Sequence, residues 1–241
     1  MRVAVLISGE PRFSREFDLF LENLTGYDEI DWYFYMWHNA TYAQEKKLMP
    51  ESWYGIDRET AYNKIRANLP ANHNIAYLEL ADQDAFKFPY VTERLGWGVR
   101  QDNVFRMWYS WLRVDEQCSD NYDIVIKTRP DIALMQEVNL RELNLQPNEL
   151  LLPNNYGGVY NNKHICDLLA ISSRKNIKIY NDIINWVSTY YNAGCPFHPE
   201  TMLSVHLDNN NIVYPKGKFD VQYRYFGKNG DDYNIQPGRW I

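Results

Sequence analysis

One acidic side chain stands out for where the chain delivers it. Asp131 follows the run Tyr122-Asp123-Ile124-Val125-Ile126-Lys127 and then Thr128-Arg129-Pro130. The run reads as a buried strand, and Pro130, which lacks an N–H, ends regular pairing. Asp131 is therefore expected at the carboxyl edge of a central strand, where packing explains a carboxylate poorly and a turn or cap aspartate is the plain alternative. A hard divalent cation such as Mg²⁺ or Mn²⁺ takes oxygen ligands and often only one or two carboxylates, the rest being phosphates and water. Asp131 alone could thus serve as the protein ligand. A second candidate is the loop Ser8-Gly9-Glu10-Pro11-Arg12, which follows an apolar run and precedes a helical one. Gly9 permits close backbone approach and Arg12 offers a planar charged fork for phosphate, the alternative being a strand-to-helix turn with a surface arginine. Trp97, between Gly96 and Gly98, is the aromatic best placed to offer a flat face to a ligand.

Other chemistries lack their residues. The Ser8 loop has neither the G-x-G-x-x-G dinucleotide pattern nor a following G-K-[ST]. His38, His164, His198 and His206 do not fall into H-x-x-x-H or H-E-x-x-H spacing, which disfavours a zinc hydrolase, and no G-x-S-x-G or cysteine-centred nucleophile signature is present. With 25 Lys+Arg against 31 Asp+Glu and no like-charged run, a nucleic-acid footprint is missing. The cysteines, Cys118, Cys166 and Cys195, suggest neither a disulfide framework nor a zinc knuckle, so a reducing compartment, the cytoplasm, is expected. No stretch approaches the roughly 20 apolar residues that cross a bilayer.

The elements that must position these residues follow from periodicity. Val3 to Ile7 is a continuous apolar run, the pattern of a strand buried on both faces. Phe17, Phe20, Leu21 and Leu24 recur at helical spacing, with Ser14 a plausible N-cap and Gly26 a stop. Asp31 to Trp37, rich in aromatics, predicts a second strand, and Ile75 to Leu80 a third. Between them a helix runs from about Arg58 to Leu69, capped by Asp57 and ended by Pro70. Residues 39 to 53 and 82 to 98 read as excursions. Val104, Met107, Trp108, Trp111 and Leu112 form the clearest amphipathic stripe, in a helix after Asp102, which marks Trp108 and Trp111 as core. Further on, strands are expected at Glu149 to Leu152, Leu168 to Ser172 and Asn211 to Tyr214. Helices are expected at about Arg174 to Tyr190 and from Pro199, with an irregular tail. Strands alternating with helices imply an α/β domain with a mostly parallel central sheet and helices on both faces. Ligands of such sheets bind beyond the carboxyl ends of the strands. That rule puts Ser8 to Arg12, Trp37 to Asn39 and Arg129 to Asp131 on one rim. At 241 residues, one domain suffices.

Three segments carry a resemblance: the loop Ser8-Gly9-Glu10-Pro11-Arg12, the aromatic strand with Asp31, Tyr33 and Trp37, and the stretch Tyr122 to Asp131. Together they resemble a family of bacterial and viral GT-A-type glycosyltransferases that includes WavE-like lipopolysaccharide-synthesis proteins. The likeness covers roughly residues 1–135, which it implies to be a nucleotide-binding half. It extends loosely over 136–241, an acceptor-side half, through Asp167 to Ser172 and Pro199-Glu200. It implies a Rossmann-like GT-A domain that moves a sugar from a nucleoside-diphosphate sugar to a glycan or lipid-linked acceptor, with Mn²⁺ or Mg²⁺ on Asp131. Ser8, Gly9, Arg12, Arg129 and Trp97 are then expected around the donor. The family's D-x-D motif has Arg129 in place of its first aspartate, which suggests electrostatic support of the phosphates by Arg129, with or without a metal. Transfer requires neutralisation of the departing phosphate and, with inversion, a base for the acceptor hydroxyl. Glu200 and Asp167 are the candidates, Glu200 near a helix N-terminus whose dipole favours its ionised form. Two alternatives keep the same fold: a non-catalytic nucleotide- or sugar-binding module, and a nucleotidyltransferase, which would normally gather several carboxylates around two metals.

Overall fold

A computed structural model describes residues 1–11, 17–38, 55–83, 85–86, 101–153, 165–215 and 219, and the backbone of 223–226 and 232–235. Strand alternation sets its layers. In β1 (Arg2–Gly9), Val3, Val5 and Ile7 pack into one apolar layer while Ala4 and Leu6 pack into another, on the opposite face. Helix α1 (Phe17–Asn23) places Phe17 and Phe20 in the first layer and leads through β2 (Leu24–Thr25) into β3 (Glu29–His38). β3 repeats the division: Trp32, Phe34 and Met36 join the first layer, Tyr33, Tyr35 and Trp37 the second. Its aromatics are thus shared between two interiors, as a strand buried on both faces requires.

Helix α2 (Arg58–Asn68) starts at Asp57, whose side chain accepts from the Thr60 N–H at 2.7 Å, and buries Ala61 and Ile65 against the first layer. β4 (Asn74–Asp82) follows, and then α3 (Gln101–Glu116), which lays Val104, Phe105, Trp108, Trp111 and Val114 into the second layer. The apolar stripe read from sequence is this buried face. β5 (Ile124–Thr128) is entirely buried and is followed by the short strands β6 (Ile132–Leu134) and β7 (Val138–Asn139). β8 (Leu150–Leu151) and β9 (Ala170–Ser172) complete a six-stranded sheet in the order β4-β3-β1-β5-β9-β8. β4, β3, β1 and β5 run parallel, whereas β9 is antiparallel to both β5 and β8. Strands from either side of residue 135 share this sheet. Helices α4 (Arg174–Asn181) and α6 (Pro199–Asn209) pack with α3 on the second layer, so helices do cover both faces.

Three expectations need correction. The helix read over Arg174 to Tyr190 is broken: α4 ends at Asn181, a 3₁₀ turn spans Asp182–Trp186, and α5 covers Val187–Asn192. Apolar periodicity survives such a tightening, so sequence could not reveal it. Asn211 to Tyr214 is no full strand, since only Val213 bridges, to Glu149. The tail, expected to be irregular, contains β10 (Tyr223–Phe226) and β11 (Asp232–Ile235), and β10 pairs antiparallel with β6. Three residues of β6 are too short to display a period, and their partner lies about ninety residues away, so the pairing is a tertiary event. It clamps the chain directly after Asp131. The proposed Ser14 cap and the excursion at 39 to 53 lie outside the described residues or nearly so, as does most of the one at 82 to 98.

A buried ion pair anchors the far end of α3. Arg174 donates to both Asp115 oxygens, at 2.7 and 3.1 Å, and to the backbone carbonyls of Asp115, Cys118 and Ser119. Removing one member leaves a buried charge uncompensated, which costs roughly 3–5 kcal/mol. Arg174→Met is therefore expected to lower unfolding free energy by about that amount in urea titrations. Removal of the exposed Arg113–Glu116 pair is expected to cost less than about 1 kcal/mol.

Candidate functional site

The parallel register brings the predicted rim together. Ser8 stands beside Tyr35 and Gly9 beside Met36, while Ile7 stands beside Thr128, so β1, β3 and β5 end at nearly one level. Beyond these ends lies a cleft of about 240 Å³. Its floor is Ser8, Gly9, Glu10, Trp37 and Arg129-Pro130-Asp131, with Gln83 from the end of β4. Its wall is the first half of α3, through Asn103, Arg106, Met107, Ser110 and Trp111. Gly9 has φ +126, and a β-carbon there would meet nothing within 4 Å. The glycine is thus required by backbone conformation and leaves the floor open.

Asp131 is 1% exposed, and its carboxylate is gripped from two residues away. Arg129 donates from Nε to Oδ1 at 2.9 Å and from Nη2 to Oδ2 at 2.7 Å. This bidentate, part-buried fork is the strong form of a charge-assisted pair. Its sequence spacing is possible because Pro130 turns the chain between the two residues. On the wall, Arg106 pairs with Asp102 one helical turn earlier, at 3.0 Å. The cleft therefore presents two guanidinium groups, each with a carboxylate partner, rather than a bare positive surface.

The fit to a divalent cation can be tested on these atoms. Among the described residues no three His, Cys, Asp or Glu side chains gather into a metal cage. Arg129 engages one lone pair on each Asp131 oxygen, and a carboxylate oxygen can in general accept a second interaction. A single carboxylate is enough only if a ligand's phosphates and water complete the shell. The residues fit a cation that arrives with a phosphorylated ligand, and not one bound by protein alone.

Three residues of the lining also carry unsatisfied neutral polar atoms. Ser8 Oγ, Trp37 Nε1 and Gln83 Oε1 are buried at cleft-lining residues and have no hydrogen-bond partner among the described residues. An unsatisfied buried group costs about 1–3 kcal/mol, so a ligand that supplies the missing partners recovers it. Gln83 and Arg106 were not singled out from sequence. Gln83 could have been found by the rule of carboxyl strand ends, had β4 been read to Asp82. Arg106 gave no such signal, since it lies beside an apolar stripe like any surface cation.

Of the remaining expected residues, Arg12 and Trp97 fall outside the described residues. Asp167 and Glu200 are brought to each other, although neither lines the cleft as described. Asp167, just before β9, is 8% exposed and its charge acts on Glu200 in the first turn of α6. Burial, reinforced by Asp167, pushes the Glu200 carboxyl up to about 8. The expected help of the helix dipole is outweighed: a dipole contributes within one turn and modestly, whereas desolvation acts fully on the charged form. Lys127 joins them from β5. It is fully buried, its ammonium donates to the Asp167 carbonyl, and it lies 3.7 Å from the centroid of Trp111, which also lines the cleft.

No family model and no curated protein matches this chain. The functional reading accordingly rests on the site's own atoms.

The raised Glu200 carboxyl has a consequence for stability. Its extra proton affinity in the fold stabilises fully below 4.5, and this contribution is lost as pH climbs toward about 8. Lys127, pushed down from 10.5 to about 7 mainly by burial, loses its contribution only as pH falls from 10.5 to about 7, so it adds no slope below that. Between 4.5 and about 7, wild type is expected to lose stability relative to Glu200→Gln, by at most about 1.4 kcal/mol per pH unit. Thermal melts of both proteins across that window check it, and parallel curves would contradict it.

Proposed function

We propose that the chain is a glycosyltransferase that moves a sugar from a nucleoside-diphosphate sugar to a hydroxyl of a glycan or lipid-linked acceptor. The observation that carries the reading is the junction of the Ser8-Gly9 turn with the Arg129–Asp131 fork in one cleft at the carboxyl rim of parallel strands. Such rims are where α/β sheets bind phosphorylated ligands. Arg106 and Arg129 face the leaving diphosphate in this reading and offset the charge it gains as the glycosidic bond breaks. Ser8 Oγ, Trp37 Nε1 and Gln83 Oε1 supply donors and acceptors for the uncharged parts of the donor. Asp167 and Glu200, although neither lines the cleft as described, are the carboxyl groups to which this reading gives the acceptor's proton. The reading includes a GT-A-like domain and a cytoplasmic location, with which three free cysteines agree. Among the described residues no helix is long and apolar enough to cross a membrane.

Mg²⁺ or Mn²⁺, when bound, would sit on Asp131 and the donor phosphates and supply further charge neutralisation. The pairing of Arg129 with Asp131 suggests an exchange: a diphosphate draws the guanidinium, and the carboxylate is left to a cation. A binding module without turnover is the second reading, and the same pairing favours it, because Asp131 is already neutralised without a metal. A nucleotidyltransferase has less support, since no carboxylate cluster for two metals occurs among the described residues.

Thermal-shift titrations with UDP-, GDP-, CMP- and dTDP-sugars, with and without Mn²⁺, test the site. Saturation at a hundred times Kd adds about 2.7 kcal/mol of stability. One donor class is expected to raise Tm, and Mn²⁺ to raise it further only when that donor is present. Asp131→Asn is expected to abolish the metal increment. Release of nucleoside diphosphate separates the two readings: binding with no turnover across the panel and an acceptor extract selects the module, and no binding at all removes both.

A further inference from the structure

The floor of the cleft is sorted by charge across the sheet. In the strand order β4, β3, β1, β5 it contributes Gln83 just beyond β4, Trp37 of β3, Ser8 of β1 and then the Arg129–Asp131 fork after β5. The first three side chains are neutral and the fork is charged. Register puts the neutral three on one face. Ser8 continues the side of β1 that carries Ala4 and Leu6 in the layer under α3, Trp37 packs in that layer, and so does its register partner Ala81. Gln83 follows Ala81 by two residues, and its N–H donates to the His38 carbonyl at 3.3 Å, which carries the β3–β4 pairing one step further. Strand alternation therefore gives Gln83 the same face. Ser8, Trp37 and Gln83 are 2, 3 and 5% exposed, and Ser8 Oγ, Trp37 Nε1 and Gln83 Oε1 have no hydrogen-bond partner among the described residues.

Three unsatisfied polar atoms in one lining are costly unless a ligand completes them. The indole can only donate and the amide oxygen only accept, so that ligand brings both kinds of group. Aromatic rings stand at the same end: Trp37 lies 5.5 Å from Phe86 and 6.0 Å from Tyr109, and those two rings are 4.2 Å apart. From β4 to β5 is three strand spacings, roughly 14 Å, which leaves room for two chemically different ends of one ligand. We propose that the cleft holds a nucleoside diphosphate in one polarity, its diphosphate toward Arg129 and its base toward the end of β4, and that Gln83 is the residue that selects the base. This rests on the glycosyl-transfer reading of the same cleft, which by itself fixes neither the polarity nor the selecting residue. A base suits the neutral end because its pairing edge sets an N–H beside an acceptor, which an amide side chain meets with two parallel hydrogen bonds. Its flat faces stack on aromatic side chains. A sugar hydroxyl both donates and accepts, and gives one amide little to choose between.

Calorimetric titrations with UDP, GDP, CDP, dTDP, ADP, inorganic pyrophosphate and the nucleotide-sugar of the preferred base, all with Mn²⁺, test the assignment. Wild type is expected to bind one nucleotide more tightly than the others and more tightly than pyrophosphate. Gln83→Leu is expected to weaken that nucleotide about tenfold or more and to narrow the spread of the panel, as loss of an amide–base pair does, with pyrophosphate affinity unchanged. Arg129→Gln is expected to weaken every member, pyrophosphate included. Gln83→Glu, which can only accept, is expected to raise the ratio of GDP to UDP affinity, since guanine offers two adjacent N–H donors where uracil offers one. Without ligand, Gln83→Leu is expected to melt no lower than wild type, because it removes an unsatisfied atom rather than a bond. Several results would overturn the proposal while leaving the transfer reading in place: a wild type that binds nucleotides without base preference, equal losses for pyrophosphate and nucleotide in Gln83→Leu, an unchanged nucleotide affinity, or a loss seen only with the nucleotide-sugar. A wild-type protein that binds none of the nucleotides removes both.

Discussion

The parallel register of β3, β1 and β5 is the constraint on which the rest depends. Each strand is hydrogen-bonded to its neighbour so that adjacent strands end within two residues of one another. Because these strands are parallel, their ends expose the same edge of the backbone and their connections leave from the same side. A turn with a glycine, an indole and an arginine–aspartate fork, separated by up to about 120 residues, thereby reach one cleft. Nothing in the individual segments attracts them to each other. The hydrophobic faces of the strands do so, by requiring the register that buries Val3, Val5, Ile7, Ile124 and Ile126 on one side of the sheet and Ala4, Leu6 and Val125 on the other.

The two faces of this sheet differ in kind. The face under α1 and α2 is hydrocarbon and aromatic, with His73 held between Trp32 Nε1 and the Tyr27 hydroxyl at 3.3 and 3.1 Å. Trp32 can only donate, so its bond fixes Nδ1 of His73 as the acceptor and leaves the ring proton on Nε2. Burial and the nearby Arg66 both lower the proton affinity of that ring, which makes it a neutral fastening of β3. The face under α3 instead carries titratable groups into the interior: the Arg174–Asp115 fork, and Lys127, Asp167 and Glu200. Buried charges are poor sources of stability. Satisfied on all sides, the Arg174 fork is understandable as an anchor. The Lys127 group is less well satisfied, and that imbalance belongs to the side of the sheet on which the cleft opens.

The cleft itself is arranged for exchange. Both guanidinium groups at its surface already hold carboxylates, Arg129 with Asp131 and Arg106 with Asp102. A site built this way avoids the repulsion that two unpaired cations would suffer, and it presents an incoming anion with a substitution of partners. Trp111 links this arrangement to the interior, since the residue belongs to the cleft lining and the Lys127 ammonium lies over its ring. Placement of α3 therefore governs both the wall of the cleft and the surroundings of the buried lysine.

Local pattern was enough for much of this. Continuous apolar runs fixed the positions of β1, β3 and β5, the stripe at Val104 to Trp111 identified the buried face of α3, and Pro130 announced that Asp131 would stand just past a strand end. The rule for parallel sheets then joined Ser8, Trp37 and Asp131 on one rim. These features are encoded in neighbours a few residues apart, where side-chain period and backbone chemistry act directly. What only the tertiary structure decided is which partner each polar group meets. The clasp of Asp131 by Arg129, the pairing of β6 with the distant β10, the contribution of Gln83 and Arg106, and the raised proton affinity of Glu200 all arise from contacts or burial created when remote segments pack. A helix dipole can be read from sequence, but the desolvation that overrides it at Glu200 depends on the depth to which α6 is pressed against the sheet, and no local pattern carries that information.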